Sequence, residues 1–246
     1  MALPIPVDLP PTALPGGLLA SASTLPAGWE NGIEFLSDGC LKPERVAVCP
    51  EQYVGETDEV GSVQFLPFDM RQGVHCSSLS RLDVGRVAAS TLDVTDEYLI
   101  GAELQDGLAS GNTCLNDATD LGVGDTPEAG FALIEAAGAI ALAGRLIVIH
   151  VPPSLAIYLP DICYRDAQGQ WRTPLGTLVI MSPGYTGTTV YGTGEIYAML
   201  GSPIDTRVNM DRSVNVDEGW AERPGIVAFD PCFLVSVSTP SESPAE

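Results

Sequence analysis

Basic residues are scarce in this sequence. Its 246 residues hold 11 lysines and arginines against 32 aspartates and glutamates, so the formal net charge is −21 at pH 7, and Lys42 is the only lysine. Proteins that bind the nucleic-acid backbone cluster Lys and Arg on one face. The arginines here are scattered singly. The composition therefore argues against binding to nucleic acids and to anionic membranes.

The residue patterns of common catalytic and metal sites are also missing. The sequence has two histidines and contains no C-x-x-C, H-x-x-x-H or G-x-S-x-G motif. His75 and Cys76 are neighbours, and neighbours in an extended segment point to opposite faces, so they cannot form a catalytic pair. His150 lies in an apolar strand and is interpreted as a core histidine. We therefore predict no catalytic residues, no cofactor and no metal.

Two groups of acids are interpreted as solvent-facing. Asp117, Asp120 and Asp125 lack the alternate spacing and closing glutamate of an EF-hand calcium loop, which favours a solvated connector. Asp93 and its neighbours Asp96 and Glu97 fall within a predicted helix, where they indicate its polar face.

No apolar run reaches the length of a membrane span. The N-terminus is apolar and rich in proline but has no basic start, which is typical of an extended arm rather than a signal peptide. We therefore expect the protein to reside in a reducing compartment. There the six cysteines are expected to be buried thiols instead of a disulfide framework. The spacing of Cys40 and Cys49 leaves a bridge between these two open.

Residue periodicity predicts two helices. Apolar residues recur at three- and four-residue spacing over 82–108. A second helix begins at Thr126, a capping residue, followed by Pro127 and Glu128, which suit the first turn. Most other segments have the character of short strands, and Pro67 assigns the segment around it to a sheet edge.

The segment 172–195 contains four glycines in its second half and raises the question of a phosphate-binding loop. Such a loop needs a basic residue and a following helix. Here Gly194 is followed by Glu195 and a strand pattern. We interpret residues 183–187 as an exposed structural loop.

The order of these elements resembles that of tailed-phage major capsid proteins of the Hong Kong 97 type, a fold shared with encapsulin shells, and is similar to proteins of actinobacterial phages. The segment "GQWRTPLGTLVIMSPGYTG" is similar to a passage common in these proteins. The resemblance implies an α+β fold with an N-terminal arm, an extended hairpin loop, a long spine helix in a peripheral domain, and an axial domain of helices around a small mixed sheet. The corresponding ranges are 1–28 for the arm, 29–81 for the hairpin region, 82–120 and 205–240 for the peripheral domain, and 121–204 for the axial domain. The tail 241–246 is predicted to be disordered from its composition.

The function implied is that of a virion structural protein, a major capsid subunit that assembles with itself into hexamers and pentamers in the host cytoplasm, without enzymatic activity and alongside other capsid or decoration proteins. Alternatives are another phage structural protein (tail, vertex or decoration) and a β-rich bacterial binding domain or enzyme. We expect deletion of residues 1–27 to leave the subunit folded, and Tyr185 to face a neighbouring subunit. The subunit-interface candidates are Trp29, Phe68, Pro183, Gly184, Tyr185 and Thr186.

Overall fold

The computed structural model describes residues 16–25, 27–36, 62–77, 83–142, 145–202, 205–211 and 216–240. The helices are α1 (Leu18–Ser21), α2 (Val84–Asp106), α3 (Pro127–Ala141) and α4 (Leu159–Ile162), with 3₁₀ turns at Trp29–Asn31, Leu115–Asp117 and Pro153–Tyr158. The strands are β1 (Ile33–Leu36), β2 (Ser62–Phe65), β3 (Phe68–Ser77), β4 (Thr119–Val123), β5 (Val148–Val151), β6 (Tyr164–Arg165), β7 (Trp171–Arg172), β8 (Leu178–Met181), β9 (Thr189–Thr193), β10 (Ile196–Leu200), β11 (Asp205–Asp211), β12 (Val216–Phe229) and β13 (Leu234–Ser238).

The described strands form three sheets. A seven-stranded sheet has the order β4-β13-β9-β5-β8-β7-β6. It is mixed, because β4 runs parallel to β13 and β5 parallel to β8, while its other pairs are antiparallel. In a second sheet the long β12 pairs antiparallel with β3, β10 and β11. The strands β1 and β2 form a small antiparallel pair.

Helix α2 confirms the longest periodic pattern in the sequence. Asp83 caps its start by accepting a hydrogen bond from the Arg86 N–H at 3.1 Å. Gly107 ends it with a φ of +61°, a left-handed conformation that favours glycine. Leu92 and Ile100, both fully buried, pack into the core that α2 shares with the four-stranded sheet and one face of the seven-stranded sheet.

Helix α3 covers the other face of the seven-stranded sheet. As predicted, it begins after Thr126, whose hydroxyl accepts a hydrogen bond from the Ala129 N–H, and Pro127 occupies its first turn. Its buried Phe131 and Ile134 belong to a second apolar cluster. Because both faces of the sheet are covered, all four residues of β5 are buried, which explains why three of them are aliphatic.

The described part of the predicted arm packs on its own chain. Leu18 is fully buried in the core beside α2. The Leu18 and Leu19 N–H groups both donate to the carboxylate of Glu97, the latter at 3.0 Å. Ser23 bonds to β10 through its N–H and C=O, with Ile196 O at 2.8 Å and Ala198 N at 3.2 Å. Residues 16–25 thus contribute to the core of the subunit, which argues against the expectation that the subunit stays folded when residues 1–27 are deleted.

Strands from the predicted axial and peripheral ranges pair with each other in both of the larger sheets. β10, from the predicted axial range, pairs with β12. β13, from the predicted peripheral range, pairs with β9 and β4 in the seven-stranded sheet.

The cysteines do not all share one state. Cys114 and Cys163 are free thiols, and Cys114 is buried as expected, whereas Cys163 is partly exposed. Burial raises the pKa of Cys163 to about 11, so its thiol stays protonated at neutral pH. Cys232 is disulfide-bonded, which contradicts the expectation for this residue.

Candidate subunit-interface site

The loop 182–187, which contains most of the interface candidates, is docked on α2. The Ser182 hydroxyl donates to the carbonyl of Glu97 at 3.0 Å. Gly184 comes so close to the helix that a Cβ there would lie 2.3 Å from the Ala102 nitrogen. Only glycine fits this approach. The glycine that the sequence analysis placed on an exposed loop is therefore buried and serves close packing within the chain.

Farther along the loop, the side-chain amide of Gln105 forms hydrogen bonds with the backbone, as a neighbouring strand would. Gln105 of α2 accepts the Thr186 N–H at 2.7 Å and donates to the Thr186 carbonyl at 3.3 Å. Pro183 and Thr186 nonetheless keep exposed side chains. These two residues remain candidates for contact with another subunit.

Tyr185 points inward from the same loop and is 3% exposed. Its hydroxyl lies 2.9 Å from Nδ1 of His150, and Nε2 of His150 lies 2.9 Å from Thr193 Oγ1. Thr193 Oγ1 also donates to the Gly194 carbonyl at 2.8 Å, so it must accept from the imidazole. The proton therefore sits on Nε2, and the Tyr185 hydroxyl donates to Nδ1.

This chain of hydrogen bonds corrects one interface prediction and confirms another interpretation. Tyr185 does not face outward, because its ring is part of the core and its hydroxyl is the donor that His150 needs. Complete burial lowers the pKa of His150 to about 3, so the imidazole is neutral at physiological pH. His150 is thus a hydrogen-bonded core histidine, as its apolar strand indicated.

Trp29 and Phe68 also lie inside the chain. Trp29 is 5% exposed and Phe68 is 8% exposed. Trp29 follows Gly28, whose φ of +96° is a left-handed conformation that favours glycine. Their burial assigns both side chains to packing within the subunit, so neither offers a free surface to a neighbour.

The strands β1 and β2 form the stem of a hairpin, within the segment where the sequence resemblance places an extended loop. Phe35 and Phe65 meet edge to face at 5.7 Å between ring centroids, and Phe65 meets Phe229 of β12 at 5.3 Å. The stem is thereby anchored on the four-stranded sheet. Residues 37–61, the rest of the predicted hairpin, lie outside the described residues.

A second anchor lies at the base of the stem. Asn112, in the loop after α2, accepts the Leu66 N–H at 2.7 Å and donates to the Leu66 carbonyl at 2.8 Å. Leu66 connects β2 to β3. Asn112 therefore fixes the direction in which the stem leaves the body. The sequence gives no signal for this contact, since 46 residues separate the two partners.

The acidic residues of α2 were predicted to face the solvent, but the structure shows them with partners in the chain. Arg223 of β12 bonds Asp96 at 2.9 Å and also bonds Asp93. Asp96 is 6% exposed, and burial raises its pKa to about 6 despite the nearby guanidinium. Burial likewise raises the pKa of Glu97, which binds the N-terminal segment. The helix is covered on both sides, by β12 and by residues 16–25, so its acids acquire partners.

The aspartates after α2 have structural partners of their own. Asp117 accepts the Cys114 N–H at 2.9 Å and closes the 3₁₀ turn, and Asp120 accepts the Gly122 N–H at 2.8 Å. Across the described part of the chain, no group of three or more His, Cys, Asp or Glu could hold a metal ion.

A groove of about 360 Å³ lies between α3, α4 and the turn before β8. Three acidic side chains and several apolar ones line it, among them Glu128, Glu135, Asp161, Phe131 and Ile162. Glu135 is held by the Thr173 hydroxyl at 2.5 Å. Three carboxylates repel phosphates and other anions, so the groove is unsuited to a nucleotide.

Within the described ranges, no helix is both long and apolar enough to cross a membrane.

Sequence comparison finds no relatives: no protein-family model matches the chain, and no curated protein matches it. Solved structures do match. A chain of Gordonia phage Cozz has a TM-score of 0.56 at 16% identity, covering 97% of this chain and 92% of that one. A chain in the capsid of an empty GTA particle has a TM-score of 0.60 at 12% identity, covering 96% and 95%. A chain of Mycobacterium phage Ogopogo has a TM-score of 0.57 at 14% identity, covering 96% and 97%.

These likenesses extend over nearly the whole of each chain, so they concern the complete architecture and not one shared motif. They agree with the α+β arrangement described above, in which a long helix lies between a four-stranded sheet and a mixed sheet. The chain therefore has the Hong Kong 97-type capsid fold that the sequence resemblance implied.

Proposed function

We propose that this chain is the major capsid subunit of a phage head and assembles with itself into the hexamers and pentamers of an icosahedral shell. The observation that carries the proposal is the mutual coverage of 96% and 95% with a chain of the GTA capsid. A chain that matches a chain of that capsid over nearly its whole length has the elements needed for the same role.

Features of the molecule support a structural role. The hairpin stem is anchored at its base by Asn112 and by the rings of Phe35 and Phe65, which is how an extended element can be aimed at a neighbour. Interfaces of this kind supply much of the stability of symmetric assemblies. The strong negative charge disfavours adhesion to a packaged genome. We accordingly propose a protein of the virion with no enzymatic activity, assembled in the host cytoplasm.

The test is self-assembly of the purified full chain, followed by negative-stain microscopy and analytical ultracentrifugation. Subunits with a net charge of −21 repel one another, and the screening length is about 10 Å at 0.1 M salt. Assembly should therefore be assayed over a range of salt concentrations, and we expect it to increase with salt. Shells, or rings of five and six subunits, would support the proposal. A subunit that stays monomeric at high concentration throughout the series would contradict it.

A further inference from the structure

The outward side of α3 is apolar although it is exposed. Its surface residues after Glu128 are Ala132, Leu133, Ala136, Ala139 and Ile140, here called the α3 outer face. Ile140 is 72% exposed and Leu133 is 40% exposed. At about 100° per residue the α3 outer face covers roughly a third of the helix circumference. Glu128 and Glu135 both lie on one margin of it, beside the groove.

A helix on a protein surface ordinarily presents charged residues to water. Here the inward side already packs on the sheet through Phe131 and Ile134, so the apolar outer side is not needed for the core. A helix that is apolar on both sides is typical of one that is covered on both sides. The described chain covers only one.

The charge of the molecule indicates what covers the outer side of α3. Every copy carries a net charge of −21, and close approach of two copies is opposed wherever their carboxylates meet. An uncharged aliphatic surface is where like-charged copies can meet at least electrostatic cost. A basic partner, in contrast, would be drawn to the carboxylates and would gain nothing from avoiding them.

We propose that the α3 outer face is a contact surface between neighbouring copies of this chain. The proposal rests on the shell-forming function proposed above and adds to it the surface at which one subunit meets the next. In a ring, this contact is heterologous: the α3 outer face of one copy meets a different surface of the next.

The test replaces Ile140 in the full-length chain. Ile140→Glu places a carboxylate in the proposed contact, and Ile140→Ser removes the apolar side chain without adding charge. The matched control is Leu108→Glu, at a residue that is 84% exposed beyond the end of α2. Ile140 and Leu108 are both exposed, so thermal unfolding of the three variants as unassembled subunits should differ little from wild type.

We expect Ile140→Glu to raise the protein concentration needed for assembly by about tenfold or more, Ile140→Ser to raise it less, and Leu108→Glu to leave it close to wild type. Normal assembly of Ile140→Glu beside an assembling wild type would overturn this proposal and leave the shell function standing. An equal effect of Leu108→Glu would assign the loss to net charge and also overturn it. A wild-type chain that never associates would overturn both.

Discussion

Replacing Tyr185 by Phe removes one buried hydroxyl group and the proton that it donates to His150. The phenyl ring keeps its place in the core, so the change leaves packing almost intact. Nδ1 of His150 then has no donor, in a side chain that is completely buried. The other ring nitrogen still donates to Thr193. The substitution therefore isolates the effect of a single unsatisfied acceptor.

The expected loss follows from that acceptor. A buried polar group without a partner costs about 1–3 kcal/mol. For a chain of this length, 1 kcal/mol corresponds to a change in melting temperature of about 2–4 °C, so we expect Tyr185→Phe to lower it by roughly 2–12 °C. Tyr185→Ala adds a cavity in the core and should cost about 3–5 kcal/mol through lost packing alone. Truncation of Tyr185 should therefore destabilise the monomer itself.

The assay is thermal and urea unfolding of the unassembled subunit, with Tyr98→Phe as the control. Tyr98 is 50% exposed, so loss of its hydroxyl should change the free energy of unfolding by less than about 0.5 kcal/mol. A double-mutant cycle with His150→Leu gives the sharper test, because the hydroxyl has no imidazole to serve in that background. The reasoning is refuted if Tyr185→Phe melts like wild type, or if it costs as much with His150→Leu as without it.

Three further predictions concern residues around α2. Leu18→Ala should destabilise the subunit by about 2–5 kcal/mol in denaturant unfolding, because Leu18 is fully buried, and an unchanged midpoint would restore the arm interpretation. Asn112→Ala should speed hydrogen exchange at the Leu66 amide while the melting temperature changes little; unchanged exchange would refute the anchor. For Asp96, the folded pKa of about 6 lies above its ordinary 3.8, so the folded state binds the proton more tightly and this residue lowers stability as pH rises from about 4 to 6. The stability of Asp96→Asn relative to wild type should therefore increase from pH 4 to pH 7, and a pH-independent difference would contradict the argument.

Local signals explain which elements could be predicted. The start of α3 can be predicted from two adjacent residues, the capping residue Thr126 and the first-turn residue Pro127, whose effects stay within the first turn of the helix. The short, mostly apolar run that places β5 in the core is also local. The Asn112 contact and the burial of Tyr185 depend on segments that are distant in sequence, so no local pattern could reveal them.

The sequence by itself determined the two main helices and the core position of His150, since these depend on short-range periodicity, and the order of its elements carried the resemblance that implied the fold. Only the tertiary structure decided which polar residues are buried. In the sequence, Asp96 is indistinguishable from a solvent-facing acid of a helix. In the structure, the helix is covered by β12 on one side and by residues 16–25 on the other, and Asp96 pairs with Arg223 of β12. The interpretation of the loop 182–187 is revised for the same reason. Gly184 and Tyr185 are buried because the loop packs on α2, whereas Pro183 and Thr186 stay at the surface.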